Sequence, residues 1–308
     1  MIGKFVIDEG TVCSIINDIL DEAITCDEFL NYVDFVTSCI SGVLENELGT
    51  IYISDDYPRN VVKERFLIEH LCHPLNSELR DGFLRLAIDF ERTSKFIAED
   101  YYVEDVYSQD GYLASSFLFK SGGGIITCRS LDSESWWISE KFFIVSEYAH
   151  LINSFREQVY SGIKSFSEAL EHSSKLWCNC YFTARAKRFS QLGVNELTHL
   201  KTLLKHLDYL NDYAQSDFNG ESHFFIRKAA SKGVELSPDS SKTHENARAM
   251  KERNVDVEGS SILCEWHTKI TKTAGRVHFN FGKSVSEEVA NVTGGRVIIG
   301  IFNKHLTT

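Results

Sequence analysis

Two histidines near the end of the chain each stand two residues from a fixed cation: His267 before Lys269, and His278 after Arg276. Imidazole titrates near neutral pH, so two of them can share the roles of base and acid. Arginine grips a phosphate through two parallel N–H groups, and lysine adds a point charge. Together these types meet the needs of RNA cleavage by its own 2′-hydroxyl: a base, an acid for the leaving 5′-oxygen, and cations around the charged phosphorus. His267, His278, Lys269 and Arg276 are therefore the candidate catalytic residues. Glu265, Asn280, Lys304 and His305, close by in the same stretch, are the candidate substrate contacts. RNA binding without cleavage is the alternative that the same basic face allows.

What must position these residues is a hairpin. Ile262, Cys264, Trp266, Thr268 and Ile270 alternate with polar residues, and so do Val277, Phe279 and Phe281. A period of two is the signature of a half-buried strand. Opposed residues of an antiparallel pair point the same way, so placing both apolar sets on one face fixes the parity of the register. The simplest register closes a loop at Thr271 to Ala274. It sets Lys269 opposite Arg276, His267 opposite His278 and Glu265 opposite Asn280. A third strand, RVIIGIF, follows an insertion from Lys283 to Gly295 and ends at Asn303-Lys304-His305-Leu306. Upstream, Ser237 and Pro238 predict the start of a basic helix running to about Arg253.

A basic helix followed by a small antiparallel sheet, with RVHF, then RVIIG and a basic end, resembles the RelE-like ribonuclease toxin superfamily over residues 237–308. The resemblance implies a metal-free endoribonuclease that acts on messenger RNA, often on the ribosome. It also implies a bacterial or phage-defence role and a protein partner such as an antitoxin. A second pattern, Phe5-Val6-Ile7-Asp8 with the later Asp110 and Asp132, is similar to PIN-domain nucleases. That likeness implies divalent metal held by acidic residues at strand ends, and so a metal-dependent nuclease in the N-terminal region as a further alternative. No cofactor and no metal-ligand set is read from the C-terminal stretch itself.

The rest of the chain sets limits. Its 308 residues, 43% of them hydrophobic, suffice for more than one core, and a net charge of −12 excludes broad attraction to polyanions. Eight cysteines show no CxxC pair or zinc-ribbon spacing. The opening run MIGKFVIDEG meets Asp8 and Glu9 too early for a signal peptide, and no run approaches a membrane span, so a cytoplasmic protein without a membrane partner is expected. Helical spacing is predicted over 12–20, 27–47, 61–72, 78–98 and 139–175, with Gly162 able to divide the last. Asn195 opens a Leu-striped helix with His199, Lys201, Lys205 and His206 on its other face. The fold class predicted is α+β, with a mainly helical N-terminal part followed by a small antiparallel C-terminal sheet. Its regions are 1–138, 139–236 and 237–308.

Overall fold

A computed structural model describes residues 3–74, 77–100, 112–119, 122–128, 142–218, 220–283 and 285–307. The chain forms two compact units, Met1–Gly162 and Ile163–Thr308. Helices and strands occur in both, as an α+β chain requires. No described helix is long and apolar enough to cross a membrane.

The first unit is rich in helix, as predicted, and also holds a parallel sheet. It is organised on five parallel strands, β1 (Gly3–Ile7), β2 (Gly49–Ser54), β5 (Ser94–Phe96), β6 (Gly123–Ile126) and β7 (Phe142–Val145), in the order β5-β2-β1-β6-β7. Parallel strands covered on both faces read as short apolar runs without alternation, which is why GKFVI and TIYIS stand out and the three-residue SKF does not. β5 lies inside the stretch spaced as one helix over 78–98, where the helix itself is Arg80–Glu91. The helix predicted over 61–72 is shorter too. Strands β3 (Val61–Val62) and β4 (Arg65–Phe66) precede the helix Leu67–Cys72. Lys63 and Glu64 both take positive φ between these two strands, the conformation a two-residue hairpin turn demands. Residues 139–175 likewise divide, into β7 and the helix Tyr148–Gly162, with Phe166–Glu171 opening the second unit.

The second unit carries a five-stranded sheet in the order β8-β14-β13-β12-β9. These strands are β8 (Cys180–Phe182), β9 (Leu236–Pro238), β12 (Trp266–Lys269), β13 (Arg276–Asn280) and β14 (Val297–Asn303). β8 runs parallel to β14, and the other pairs are antiparallel. β8 and β9 tie residues 163–236 to the C-terminal stretch, so the sheet does not begin at residue 237. The hairpin β12–β13 has the predicted register, with His267 opposite His278 and Lys269 opposite Arg276. Trp266, Val277 and Phe279 are buried on its apolar face, where Phe218, Phe225 and Phe281 surround Trp266 at centroid distances of 5.2–5.9 Å.

The opposite face is covered as well. A second hairpin, β10 (Asn254–Val257) with β11 (Ser260–Leu263), places Val255, Val257 and Ile262 in a core with Cys264, Ile298, Ile301 and Leu306. The helix predicted over 237–253 is instead the edge strand β9 followed by two short helices, Ser241–Glu245 and Ala247–Glu252. Pro238 cannot donate to a ladder and is tolerated on an edge strand. Ser240 and Asn246 each cap the helix that follows by accepting from its backbone N–H groups. The insertion between β13 and β14 holds a helix of its own, Glu287–Thr293.

The Leu-striped helix spans Glu196–Asp212 and buries Leu200, Leu203, Leu204, Leu207 and Leu210, whereas Leu197 stays exposed. His206 does not belong to a solvated face: it is buried, with Nδ1 3.0 Å from Thr268 Oγ1. Burial, and then the nearby Lys205 charge, push its pKa down to about 4. The folded-state value lies below the unfolded one, so the neutral ring's contribution is complete above pH 6.5 and is lost as pH falls toward 4. That loss amounts to about 3 kcal/mol. His206→Gln should therefore lower proton uptake on acid unfolding by about one proton, read from urea midpoints between pH 7 and 4.5. An unchanged pH slope would remove His206 from the acid response.

Candidate functional site

β12, β13 and the edge strand β9 define one wall of a pocket of ≈300 Å³, lined by Ser237, Asp239, Ser240, Thr243, Arg253, His267, Lys269, Arg276, His278 and His305 among others. The hairpin register brings the two imidazoles to a centroid distance of 4.9 Å. At His278 the β13–β14 ladder slips, pairing His278 with Ile301 and Phe279 with Ile299, so that Gly300 is the extra residue of a β-bulge. Bulges kink a strand and re-aim its side chains. Gly300 cannot carry a Cβ here, because one would stand 2.3 Å from Cys264 Sγ.

Burial changes the chemistry predicted for the pair. His278 is 2% exposed, and neither of its ring nitrogens meets a hydrogen-bond partner of ordinary geometry. Its pKa is held well below the usual value, first by burial and then by His267 and Arg253; the adjacent Cys264 backbone offsets this only weakly. His267 is pushed down to about 3, by burial and then by Arg276, Lys269 and Arg253. Both imidazoles are therefore neutral, and the exchange of roles between a protonated and an unprotonated ring is not available to them. Either can accept a proton or a metal ion; neither arrives charged.

The other predicted residues part company. Lys269 lines the pocket, with Nζ 2.9 Å from Glu235 Oε1. Arg276 lines it too, but Nη1 donates to the carbonyls of Thr271, Ala274 and Gly275 and Nη2 to that of Lys272. It clamps the hairpin loop, so the predicted two-pronged grip on phosphate is already occupied by backbone. His305 lines the pocket, with Nδ1 2.8 Å from the Leu306 carbonyl. Glu265, Asn280 and Lys304 are not among the lining residues. Glu265 faces His244 at 3.8 Å, and Asn280 donates to the Leu263 carbonyl and accepts from the Gly282 N–H, which ties the two hairpins together.

Asp239 and Arg253 escaped the sequence-based expectations. Arg253 Nε donates to Asp239 Oδ2 at 2.5 Å, with both side chains at most 3% exposed. The signal lay in Pro238-Asp239-Ser240: a proline on an edge strand followed by a turn and a helix cap, not a helix start. Ser237, opposite His267 in the ladder, places Oγ 3.2 Å from His267 Nε2.

In the first unit, Asp8 ends β1 at the point where the strand order reverses between β1 and β6, the usual place for a ligand crevice in a parallel sheet. Its carboxylate caps the helix Glu9–Leu20, accepting from the Thr11 N–H and hydroxyl. Glu9, buried beside it, accepts from Ser54 and Asn60, and burial raises its pKa. Asp110 and Asp132 lie outside the described residues. Cys178 is exposed and Cys180 buried on β8; neither joins a group of metal-ligating side chains among the described residues. Comparison of the chain with protein-family models, curated proteins and solved structures gives no match.

Proposed function

We propose that the second unit is an RNA-directed effector module, an endoribonuclease of toxin-like type, with its reaction centred on the histidine pocket. The observation that carries this is the facing pair His267 and His278, with ring centroids 4.9 Å apart, in a pocket also lined by Arg253, Lys269 and His305. A neutral imidazole can take the proton of a ribose 2′-hydroxyl as its oxygen bonds to phosphorus. The P–O5′ bond then breaks and the 5′-oxygen gains a proton. That proton does not come from the second imidazole, which is neutral; Lys269 and His305 are the remaining donors of the polar wall. The products are a 2′,3′-cyclic phosphate and a 5′-hydroxyl. The pocket gives no sequence code, and its cations supply attraction to the phosphodiester backbone.

The chemistry separates this reading from binding alone. Full-length chain should cut a labelled single-stranded RNA and leave the all-deoxy strand of the same sequence intact, because the deoxy strand lacks the nucleophile. Binding to both without cleavage would select the non-catalytic subunit. Cleavage of both would point to a water nucleophile and sink the 2′-hydroxyl mechanism. A metal-dependent nuclease in the first unit is the second reading, favoured by Asp8 and Glu9, adjacent and buried at the carboxyl end of β1 where the strand order reverses. Cleavage abolished by Asp8→Asn and untouched by changes at His267 would establish it over the first.

A further inference from the structure

Three side chains of the pocket converge on one point. A carboxylate oxygen of Asp239 and a ring nitrogen from each of His267 and His278 all lie within 4.8 Å of one another. Asp239 Oδ1 is 3.9 Å from His267 Nδ1. Three ring nitrogens here, Nδ1 of His267 and both of His278, are buried without a hydrogen-bond partner. A buried polar atom left unpaired costs about 1–3 kcal/mol, so three in one place ask for a missing partner. A neutral imidazole offers one lone pair, so His267 Nδ1 and one nitrogen of His278 act as acceptors facing a carboxylate, while the other His278 nitrogen carries the ring proton beside the Cys264 backbone. A cation answers both lone pairs and the carboxylate at once.

We propose that Asp239, His267 and His278 bind a divalent first-row transition ion. Two imidazoles and one carboxylate suit such an ion, and three protein ligands leave further coordination positions open, as catalytic sites require. The pocket supplies room on that open side. Bonds of about 2.0–2.2 Å would draw the three ligand atoms together by about an ångström from their present spacing. The surroundings of the ligands fit as well. A proton on His267 Nε2, donated to Ser237 Oγ at 3.2 Å, leaves the Nδ1 lone pair directed at Asp239. Arg253 holds Asp239 by Oδ2 and leaves Oδ1 on the imidazole side.

The nearby positive charges have partners of their own. Arg253 is bound to Asp239 and to the Ala249 and Thr307 carbonyls, Arg276 to the hairpin loop, and Lys269 to Glu235. Their surplus charge would favour an anionic ligand, such as a phosphate oxygen, in the open position. This inference deepens the reading of the same pocket. It rests on that reading for the ion's role in phosphodiester chemistry but not for its presence; with an ion bound, His267 and His278 would be its ligands and not proton acceptors, so it replaces the metal-free reaction that the RelE-like resemblance implies.

The test uses full-length chain stripped with EDTA, exchanged into buffer and titrated with Co²⁺, followed by calorimetry and visible spectroscopy. Expected is one saturable equivalent with a d–d spectrum of nitrogen and oxygen ligation, lacking the thiolate charge-transfer band that binding to cysteine would show. Ser237→Ala should weaken it about 10–100-fold, the usual effect of losing the hydrogen bond behind a ligating histidine. His267→Gln should weaken it by more than about 100-fold, since a ligand itself is lost. Absence of saturable binding, a thiolate spectrum, or full affinity in His267→Gln would overturn the proposal. So would inorganic phosphate saturating the same pocket in metal-free protein with no Co²⁺ binding. None of these readouts depends on RNA, so failure to cut RNA leaves the metal site standing, and failure to bind Co²⁺ leaves the RNA reading to its own assay.

Discussion

Arg253→Met should lower the stability of the second unit by about 3–5 kcal/mol in EDTA, the usual cost of breaking a buried ion pair from one side. Arg253 Nε donates to Asp239 Oδ2 at 2.5 Å, and Nη1 reaches the carbonyls of Ala249 and Thr307 at 2.7 and 2.9 Å. The side chains are 3% and 2% exposed. Removing the guanidinium leaves a carboxylate in the core with two backbone acceptors unpaired. It also frees the short helix Ala247–Glu252 and the last described residue, Thr307, from a common anchor. Arg253→Lys should recover only part, because one ammonium cannot reproduce the fork. Adding Asp239→Leu to Arg253→Met should restore much of the loss, since replacing both members of a buried pair by apolar groups is often neutral. Urea midpoints of the three variants check this. A single Arg253→Met change within 1 kcal/mol of the parent would mean that the pair contributes nothing to the fold.

The hairpin was legible because two independent patterns constrained it. Alternation in ILCEWHTKI and in RVHFNF each fixed a face, and requiring those faces to coincide left the register that places His267 opposite His278. Period two carries no information on what lies above the polar face. The β10–β11 hairpin is only four residues on each side, around Glu258-Gly259 with positive φ at both, and its apolar residues belong to a core shared with β14. Exposure of the pair was thus a tertiary fact, and with it went the protonation states. The same limit hid the parallel sheet of the first unit: β5 and β6 are three and four residues long, too short for any period. Asp239 was invisible for a different reason. The proline before it reads equally as the first turn of a helix or as an edge strand, and only the pairing of β9 with β12 decides.

Replacing by Ala the imidazole that takes the 2′-hydroxyl proton should reduce RNA cleavage about 10²–10⁴-fold, the worth of a positioned proton-transfer group, and His267→Ala and His278→Ala, made singly, should both lower it because each ring faces the other. The two rings face one another and share Asp239, so they act as a unit, and the effects should not add. RNA binding should survive in both, because attraction to phosphate rests on Lys269 and its neighbours. Stability should respond differently in the two. His267, partly exposed, should change little, whereas truncating the 2%-exposed His278 opens a cavity and should cost about 1–3 kcal/mol. His278→Phe, which fills that space without a nitrogen, is the control that separates lost chemistry from lost packing. Cleavage in His278→Phe at the parent's rate would show that the ring serves the core alone.

The most direct test of the pocket as the site of RNA cleavage is the single-turnover rate of the His267→Ala/His278→Ala double variant on a labelled RNA. It should be measured beside the parent chain at temperatures where circular dichroism shows both folded. Cleavage should fall by at least about 10²-fold, to within a small factor of the weaker single variant, with RNA affinity retained. Cleavage by the folded double variant at the parent's rate would contradict the account and move the chemistry out of this pocket.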